Sequence, residues 1–261
     1  MKLIKSKSFA NGTVYALNTE DGFPVEVTDT FLPFYTKDAI GRKQNCLIDN
    51  NFGDRSERWM IGVSCMSGCN VKCRFCATGQ LKKWRSLTAE EMVEQVEFII
   101  AQNPKSKFIN AKEYKINWTR MGEPFLNVEA VKGAIKIIDK KYPGTHHYVS
   151  TIGIKGADFS WIKENITLQV SLHSLDEGRR NKLIPYKNKM TISELGKIRT
   201  QSNLKTTVNL TLVNENDFDV KKLRENFDPT YFFIKLSPIN ENEVSNKNEM
   251  GSGIISGINI L

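Results

Sequence analysis

Between residues 58 and 240, short runs of apolar and β-branched residues alternate with amphipathic segments long enough to form helices. Six strand candidates begin at Trp59, Lys115, His147, Thr167, Thr207 and Tyr231. Strands that alternate with helices usually pair in parallel, because each helix carries the chain back along the sheet. The pattern therefore predicts an α/β fold built on a parallel sheet.

Local capping signals mark where several helices begin. Thr88 with Glu91, and Thr191 with Glu194, have the spacing of a capping box, in which each side chain bonds the backbone amide of the other residue. Asn127 precedes another apolar stripe of helical period, and we expect its side chain to cap that helix.

Three zones follow from this pattern. Residues 1–57 contain strand-like runs at Gly12–Leu17 and Phe23–Thr28, so they are expected to form a small β-rich cap with antiparallel strands. Residues 58–240 form the predicted core. Residues 241–261 are polar and rich in glycine before a short apolar end, and we expect them to form a poorly anchored tail.

The 261 residues include 37 Lys and Arg against 29 Asp and Glu, which gives a net charge of +8. Such an excess favours an anionic partner such as RNA or DNA, although charge alone is a weak signal. No apolar run is long enough to span a membrane, and the first residues lack the apolar stretch of a secretory signal. A cytoplasmic location is expected.

The cysteines carry the strongest chemical signal. Cys69, Cys73 and Cys76 have the spacing Cys-x3-Cys-x2-Cys directly after the first predicted core strand, where α/β barrels place their active sites. Three thiolates can hold three irons of a 4Fe-4S cluster and leave the fourth iron open. That iron can bind the amino and carboxylate groups of S-adenosylmethionine (SAM), and an electron from the cluster then cleaves SAM to a 5'-deoxyadenosyl radical.

A zinc site formed by the same three cysteines and Cys65 is the alternative. Structural zinc sites usually combine two ligand pairs that a longer loop separates, whereas these four cysteines lie on one short stretch. We therefore favour the cluster, and we expect Cys65 to be a small buried side chain.

The core resembles a known family, the radical SAM adenine C2 methylases RlmN and Cfr. Five motifs carry the resemblance in the family's order: Val63–Gly79, Trp84–Met92, Arg120–Asn127, Val149–Ile154, and Val170–His173 with Arg180 and Ile184-Pro185. The cysteine triplet alone would indicate only the wider superfamily. Motifs in this order over residues 60–240 are more specific.

The resemblance implies a partial (β/α)6 barrel of the TIM-like radical SAM type, with SAM across the carboxyl ends of the strands. Gly122 and Glu123 are then expected to meet the SAM amino group, and Asn240 the adenine or ribose. The residues expected on the ribose and carboxylate side are Ser150, Ser171, Leu172 and His173. The alternative interpretation is structural: a strand-to-helix turn at Gly122–Pro124 and a hydrogen-bonded histidine at a strand end.

The sequence departs from the family at its catalytic cysteines. The family uses a methyl-carrying cysteine near its C-terminus and a resolving cysteine seven residues before the first cluster cysteine. No cysteine follows Cys76 in this sequence, and Gly62 stands at the upstream position. Cys65 and Cys46 are imperfect stand-ins, and Glu26 is a weak candidate for the family's proton-accepting glutamate. We therefore expect that the family's methylation mechanism does not run in this polypeptide as written.

Three functions remain open. The first is a radical SAM enzyme that abstracts hydrogen from a nucleotide or RNA and takes electrons from a donor such as flavodoxin or ferredoxin. The second is an adenine C2 methyltransferase that is truncated or divergent. The third is a non-catalytic RNA-binding relative, for which the net charge of +8 is the motive.

Overall fold

The structure, a computed structural model, describes residues 1–34, 52–212, 218–239 and 242–250. Cys46 and Asn240 lie outside these described residues. The chain divides into two compact units: a first unit of Met1–Ser67, Ser86–Met121 and Asn127–Tyr148, and a second unit of Gly68–Arg85, Gly122–Leu126 and Val149–Leu261. None of the helices in the described ranges is long and apolar enough to cross a membrane.

The strands of the described residues are β1 Lys2–Phe9, β2 Gly12–Asn18, β3 Pro24–Leu32, β4 Arg58–Val63, β5 Met66–Ser67, β6 Arg85–Ser86, β7 Glu113–Trp118, β8 His146–Thr151, β9 Ile166–Ser171, β10 Thr206–Leu212 and β11 Phe232–Pro238. The α-helices are α1 Ala89–Gln102, α2 Val128–Lys141, α3 Glu177–Leu183, α4 Ile192–Leu195, α5 Val220–Asn226 and α6 Glu243–Lys247. Short 3-10 helices span Ala77–Gln80, Phe108–Asn110 and Pro124–Leu126.

The first unit joins antiparallel and parallel strands in one sheet. β1, β2 and β3 pair as an antiparallel meander, β3 pairs antiparallel with β4, and β4 runs parallel to β7. Apolar residues of β4 and β7 are buried, and so are the apolar stripes of α1 and α2, because an amphipathic helix must cover its apolar face. The described part of the N-terminal segment therefore continues the sheet through the β3–β4 pairing.

The second unit is built on parallel strands. β10 pairs in parallel with β9 on one side and with β11 on the other. Val170, Val208 and Leu210 of these strands are buried with 0% exposure, as expected of strands in a parallel sheet. β8 contributes residues to both units.

The predicted α/β class is confirmed, since all six core strand candidates form strands. Both capping boxes also form, at Thr88 and at Thr191. The prediction for Asn127 is wrong: its side chain makes no cap and donates instead to the carbonyl oxygens of Cys65 and Leu87, each at 2.8 Å. The side-chain amide of Asn127 thus donates hydrogen bonds to two loop carbonyl oxygens within the first unit.

Candidate functional site

The predicted ligands Cys69, Cys73 and Cys76 lie on a loop of the second unit, and all three are half-buried free thiols. The loop begins at Gly68, whose φ of +71° and closeness to the chain opposite require glycine: an added Cβ would lie 2.8 Å from the Cβ of Trp84. Its end tightens into a turn in which the Cys76 amide donates to the Cys73 carbonyl oxygen at 3.1 Å. The sequence between the cysteines therefore folds as one compact loop.

The thiols of this loop influence one another. Burial raises the pKa of Cys69 to about 11, and it raises the pKa of Cys73 further, with added contributions from Cys76, Cys69 and Glu123. Thiols in such surroundings stay protonated unless a cation replaces the protons, as iron does when it binds thiolates. The donor set therefore fits a positively charged group bound at the loop.

In the described part of the chain, no three His, Cys, Asp or Glu side chains are arranged to hold one metal ion. A cubane does not require such convergence, because its three thiolates bind three different irons. Cys65 is buried, and its Sγ atom lies 3.6 Å from the carbonyl oxygen of Met121. The prediction that Cys65 is a small buried side chain is confirmed.

The cluster loop is held by residues that follow β11. Asn242 Nδ2 donates to the carbonyl oxygen of Phe75 at 3.1 Å, and Asn248 Nδ2 donates to that of Arg74 at 2.9 Å. Arg74 Nη2 returns a hydrogen bond to Asn248 Oδ1 at 3.0 Å. The expectation of a poorly anchored tail is therefore wrong for the segment around α6. Asn242 and Asn248, which flank this helix, donate hydrogen bonds to backbone carbonyl oxygens of the loop.

Glu123 is a buried carboxylate with 3% exposure at the predicted SAM site. Its Oε2 accepts the Ile152 amide at 2.9 Å and its Oε1 accepts the Phe125 amide at 3.1 Å, while the Thr151 hydroxyl also bonds it. Burial raises its pKa to about 7 against the effect of these donors. The preceding Gly122 has a φ of +105°. The carboxylate thus ties the Gly122–Leu126 segment to the end of β8, and its oxygens keep lone pairs for a further donor.

The predicted residues at the ends of β8 and β9 also lie in the second unit. Leu172 is fully buried, and its amide donates to the Asn209 carbonyl oxygen at 3.0 Å. Ser171 is half-buried, and Ser150 Oγ donates to Gln169 Oε1 at 3.1 Å. Asn240, which was predicted to reach the adenine or ribose, lies outside the described residues.

His173 connects a strand end to the cluster loop. It adopts a left-handed backbone with φ of +60°, its Nδ1 accepts the Thr211 amide at 3.3 Å, and its ring packs edge-on against Phe75 at 4.9 Å between centroids. Burial lowers its pKa to about 4, which keeps the ring neutral at pH 7. His173 is therefore a hydrogen-bonded histidine at a strand end, as the structural interpretation expects. Its contact with SAM stays a prediction.

The position of the absent resolving cysteine lies in the first unit and is filled. A Cβ atom added to Gly62 would overlap Thr28 Oγ1 and lie 3.0 Å from the Cδ atom of Arg120. Arg120 forms an ion pair with Glu26, and both side chains are about one-third exposed, at 35% and 37%. Glu26, the weak catalytic candidate, thus has a guanidinium partner. A cysteine side chain does not fit here without movement of Thr28.

Arg180 is a buried charged residue for which no role was predicted beyond its place in a motif. Its side chain has 0% exposure and donates to two backbone carbonyl oxygens. Its position in the run between His173 and Ile184 was the only available signal, since burial of an arginine on α3 depends on the tertiary fold.

The chain is similar to known proteins over about two thirds of its length. The family model described as the radical SAM superfamily matches residues 63–227. Probable dual-specificity RNA methyltransferases RlmN from Pseudothermotoga lettingae and Thermosipho melanesiensis are each 34% identical over 191 residues, which is 68% of this chain and 54% of theirs. The chain therefore spans about half the length of the curated relatives it matches.

A solved structure gives independent support for the fold. The crystal structure of a radical SAM methyltransferase from Sphaerobacter thermophilus matches 97% of this chain and 76% of that chain, with a TM-score of 0.66 and 21% sequence identity. At this identity the likeness speaks for the fold alone. It agrees with the predicted partial barrel.

Proposed function

This chain belongs to the radical SAM superfamily, and from that premise we propose that it binds a 4Fe-4S cluster through Cys69, Cys73 and Cys76 and cleaves SAM reductively. The single observation that carries the proposal is the cluster loop, which lies in one unit with the predicted SAM residues Glu123 and His173. The chemistry that such a cluster supplies when bound is one-electron cleavage of SAM into methionine and a 5'-deoxyadenosyl radical.

The residues of this chain would position SAM and hold its charges. Glu123 is fixed by two backbone amides, so its remaining lone pairs would accept the SAM ammonium without a change of conformation. The half-buried Ser171 would line the ribose and carboxylate side. Burial of the β9 end would exclude water from a reactive radical.

We further propose an RNA or nucleotide substrate. Its support is the name of the relatives, which are RNA methyltransferases, and the net charge of +8. The closed space at Gly62 favours hydrogen abstraction over the cysteine-based methyl transfer of that family. A flavodoxin- or ferredoxin-type electron donor and a cytoplasmic location remain predictions.

The test is anaerobic reconstitution of the full chain, followed by iron and sulfide analysis and a SAM cleavage assay with dithionite. The proposal expects about four irons per chain and release of 5'-deoxyadenosine. Cys73→Ala should lose both, whereas Cys65→Ala is the matched control and should keep both, because that buried thiol is not a ligand. A protein that holds four irons but releases no 5'-deoxyadenosine would overturn the proposed activity, and one zinc per chain would overturn the cluster.

A further inference from the structure

Arg180 is a buried cation of the second unit. Its Nη1 donates to the Met190 carbonyl oxygen at 2.6 Å and its Nη2 donates to the Ile152 carbonyl oxygen at 2.7 Å. Its Nε atom is buried and has no hydrogen-bond partner among the described residues. No carboxylate of those residues forms an ion pair with its guanidinium, although Glu177 lies near enough to interact electrostatically. Neutral carbonyls orient the guanidinium, but they do not balance its charge.

The helix that carries Arg180 lies directly against the cluster loop. The Arg74 amide donates to the carbonyl oxygen of Leu183 at 2.9 Å, and Leu183 ends α3 one turn after Arg180. The helix that carries the buried charge is therefore hydrogen-bonded, within the second unit, to the residue that follows Cys73, a predicted cluster ligand.

A buried cation costs free energy unless an anion balances it. The loop offers that anion only when its thiols are ionised: three thiolates around a 4Fe-4S cluster give the assembly a net negative charge, and reduction adds one more electron. A fixed positive charge nearby stabilises the reduced form more than the oxidised form, because the attraction grows with the negative charge.

We propose that Arg180 is the built-in counter-charge of the cluster and raises the cluster's reduction potential. It acts only through the charge that it holds beside the cluster loop, and it does not touch the reacting atoms. The inference rests on the proposed function, since a cluster must bind at Cys69, Cys73 and Cys76 for the charge to act on it.

The test is a redox titration of the reconstituted full chain, followed by electron paramagnetic resonance. Arg180→Gln keeps a hydrogen-bond donor and removes the charge. At a fixed applied potential, its ratio of reduced to oxidised cluster should fall about tenfold, the order of effect expected when one unit charge is removed at a site shielded from water. A tenfold change corresponds to about 59 mV for a one-electron couple.

Two controls separate charge from structure. Arg180→Lys keeps the charge and should leave the ratio within about twofold of the wild type. Arg179→Gln removes the neighbouring charge, which is half-buried on the same helix, and should have the smaller effect. A wild-type potential in Arg180→Gln, with four irons bound and unchanged thermal unfolding, would overturn the inference and leave Arg180 a structural residue.

If Arg180→Gln does not retain its iron, the reduction potential of Glu177→Gln tests the proposal instead. That variant removes the negative charge near Arg180 while its side-chain oxygen can still accept the Ile192 amide, so the potential should rise. An unchanged potential in Glu177→Gln would show that charges on α3 do not reach the cluster. If the wild-type chain binds no cluster or cleaves no SAM, the proposed function fails; if it does both and the potentials are unchanged, only the role of Arg180 fails.

Discussion

Two regions of the molecule, one in each unit, treat the family's chemical positions differently. At the strand ends of the second unit, residues predicted to bind SAM also fold the loops: Glu123 binds two backbone amides, and His173 binds Thr211 and packs on Phe75. At Gly62 in the first unit, the predicted place of a catalytic cysteine is closed by Thr28 and Arg120. The predicted SAM residues are thus present and have structural contacts, whereas the position of the family's upstream catalytic cysteine is a glycine with no free space around it.

The largest expected effect is at Glu123. Glu123→Ala leaves the buried amides of Ile152 and Phe125 without an acceptor, so the free energy of unfolding should fall by about 2–5 kcal/mol. Glu123→Gln keeps one acceptor oxygen, so its free energy of unfolding should fall by less. Urea unfolding measures both. Equal stability of the wild type and Glu123→Ala would show that this carboxylate does not organise the strand ends.

The next effect tests the closed space at Gly62. Gly62→Cys should lower the free energy of unfolding by about 1–3 kcal/mol, because the new side chain overlaps Thr28 Oγ1. Adding Thr28→Ala to the same chain removes that oxygen and should restore most of the loss. A stable Gly62→Cys single variant would mean that the position accepts a cysteine and would break the comparison.

A smaller effect is expected where α6 holds the cluster loop. Asn248→Ala removes hydrogen bonds to Arg74 that contribute about 1 kcal/mol together, so a chelator should extract iron from the reconstituted protein about two- to fivefold faster. Asn246→Ala, exposed on the same helix, is the control and should match the wild type. Identical extraction rates in all three proteins would show that the contact does not secure the loop.

The smallest effect is expected at Glu26. The ion pair with Arg120 is about one-third exposed, so Glu26→Ala should change the free energy of unfolding by less than about 1 kcal/mol, and less still in high salt. The contrast with Glu123 is the point of the measurement. A loss as large as that of Glu123→Ala would show that the first unit depends on this pair as the second depends on Glu123.

Local signals made much of the fold predictable. The core strands coincide with short runs rich in apolar and β-branched residues, and the capping boxes at Thr88 and Thr191 involve residues three positions apart. β1 was not predicted, because all eight of its residues are exposed and it is held by backbone pairing with β2, so it carries no burial pattern. Asn127 was misassigned because its two acceptors lie 62 and 40 residues away in the sequence.

In the candidate site too, local features could be predicted from the sequence and long-range contacts could not. The spacing of Cys69, Cys73 and Cys76 is local, so the cluster loop could be predicted from sequence. The contact between Arg74 and Asn248 joins residues 174 positions apart, and the burial of Arg180 depends on Ile152 and Met190. Such contacts are consequences of the tertiary fold, and no local pattern in the sequence predicts them.

The most direct test of the account is the electron paramagnetic resonance spectrum of the reduced, reconstituted protein with and without SAM. The account predicts that SAM changes the spectrum, because it binds the iron that the three cysteines leave open. It also predicts that Glu123→Gln needs more SAM for the same change. A reduced 4Fe-4S cluster whose spectrum does not respond to saturating SAM would contradict the central claim.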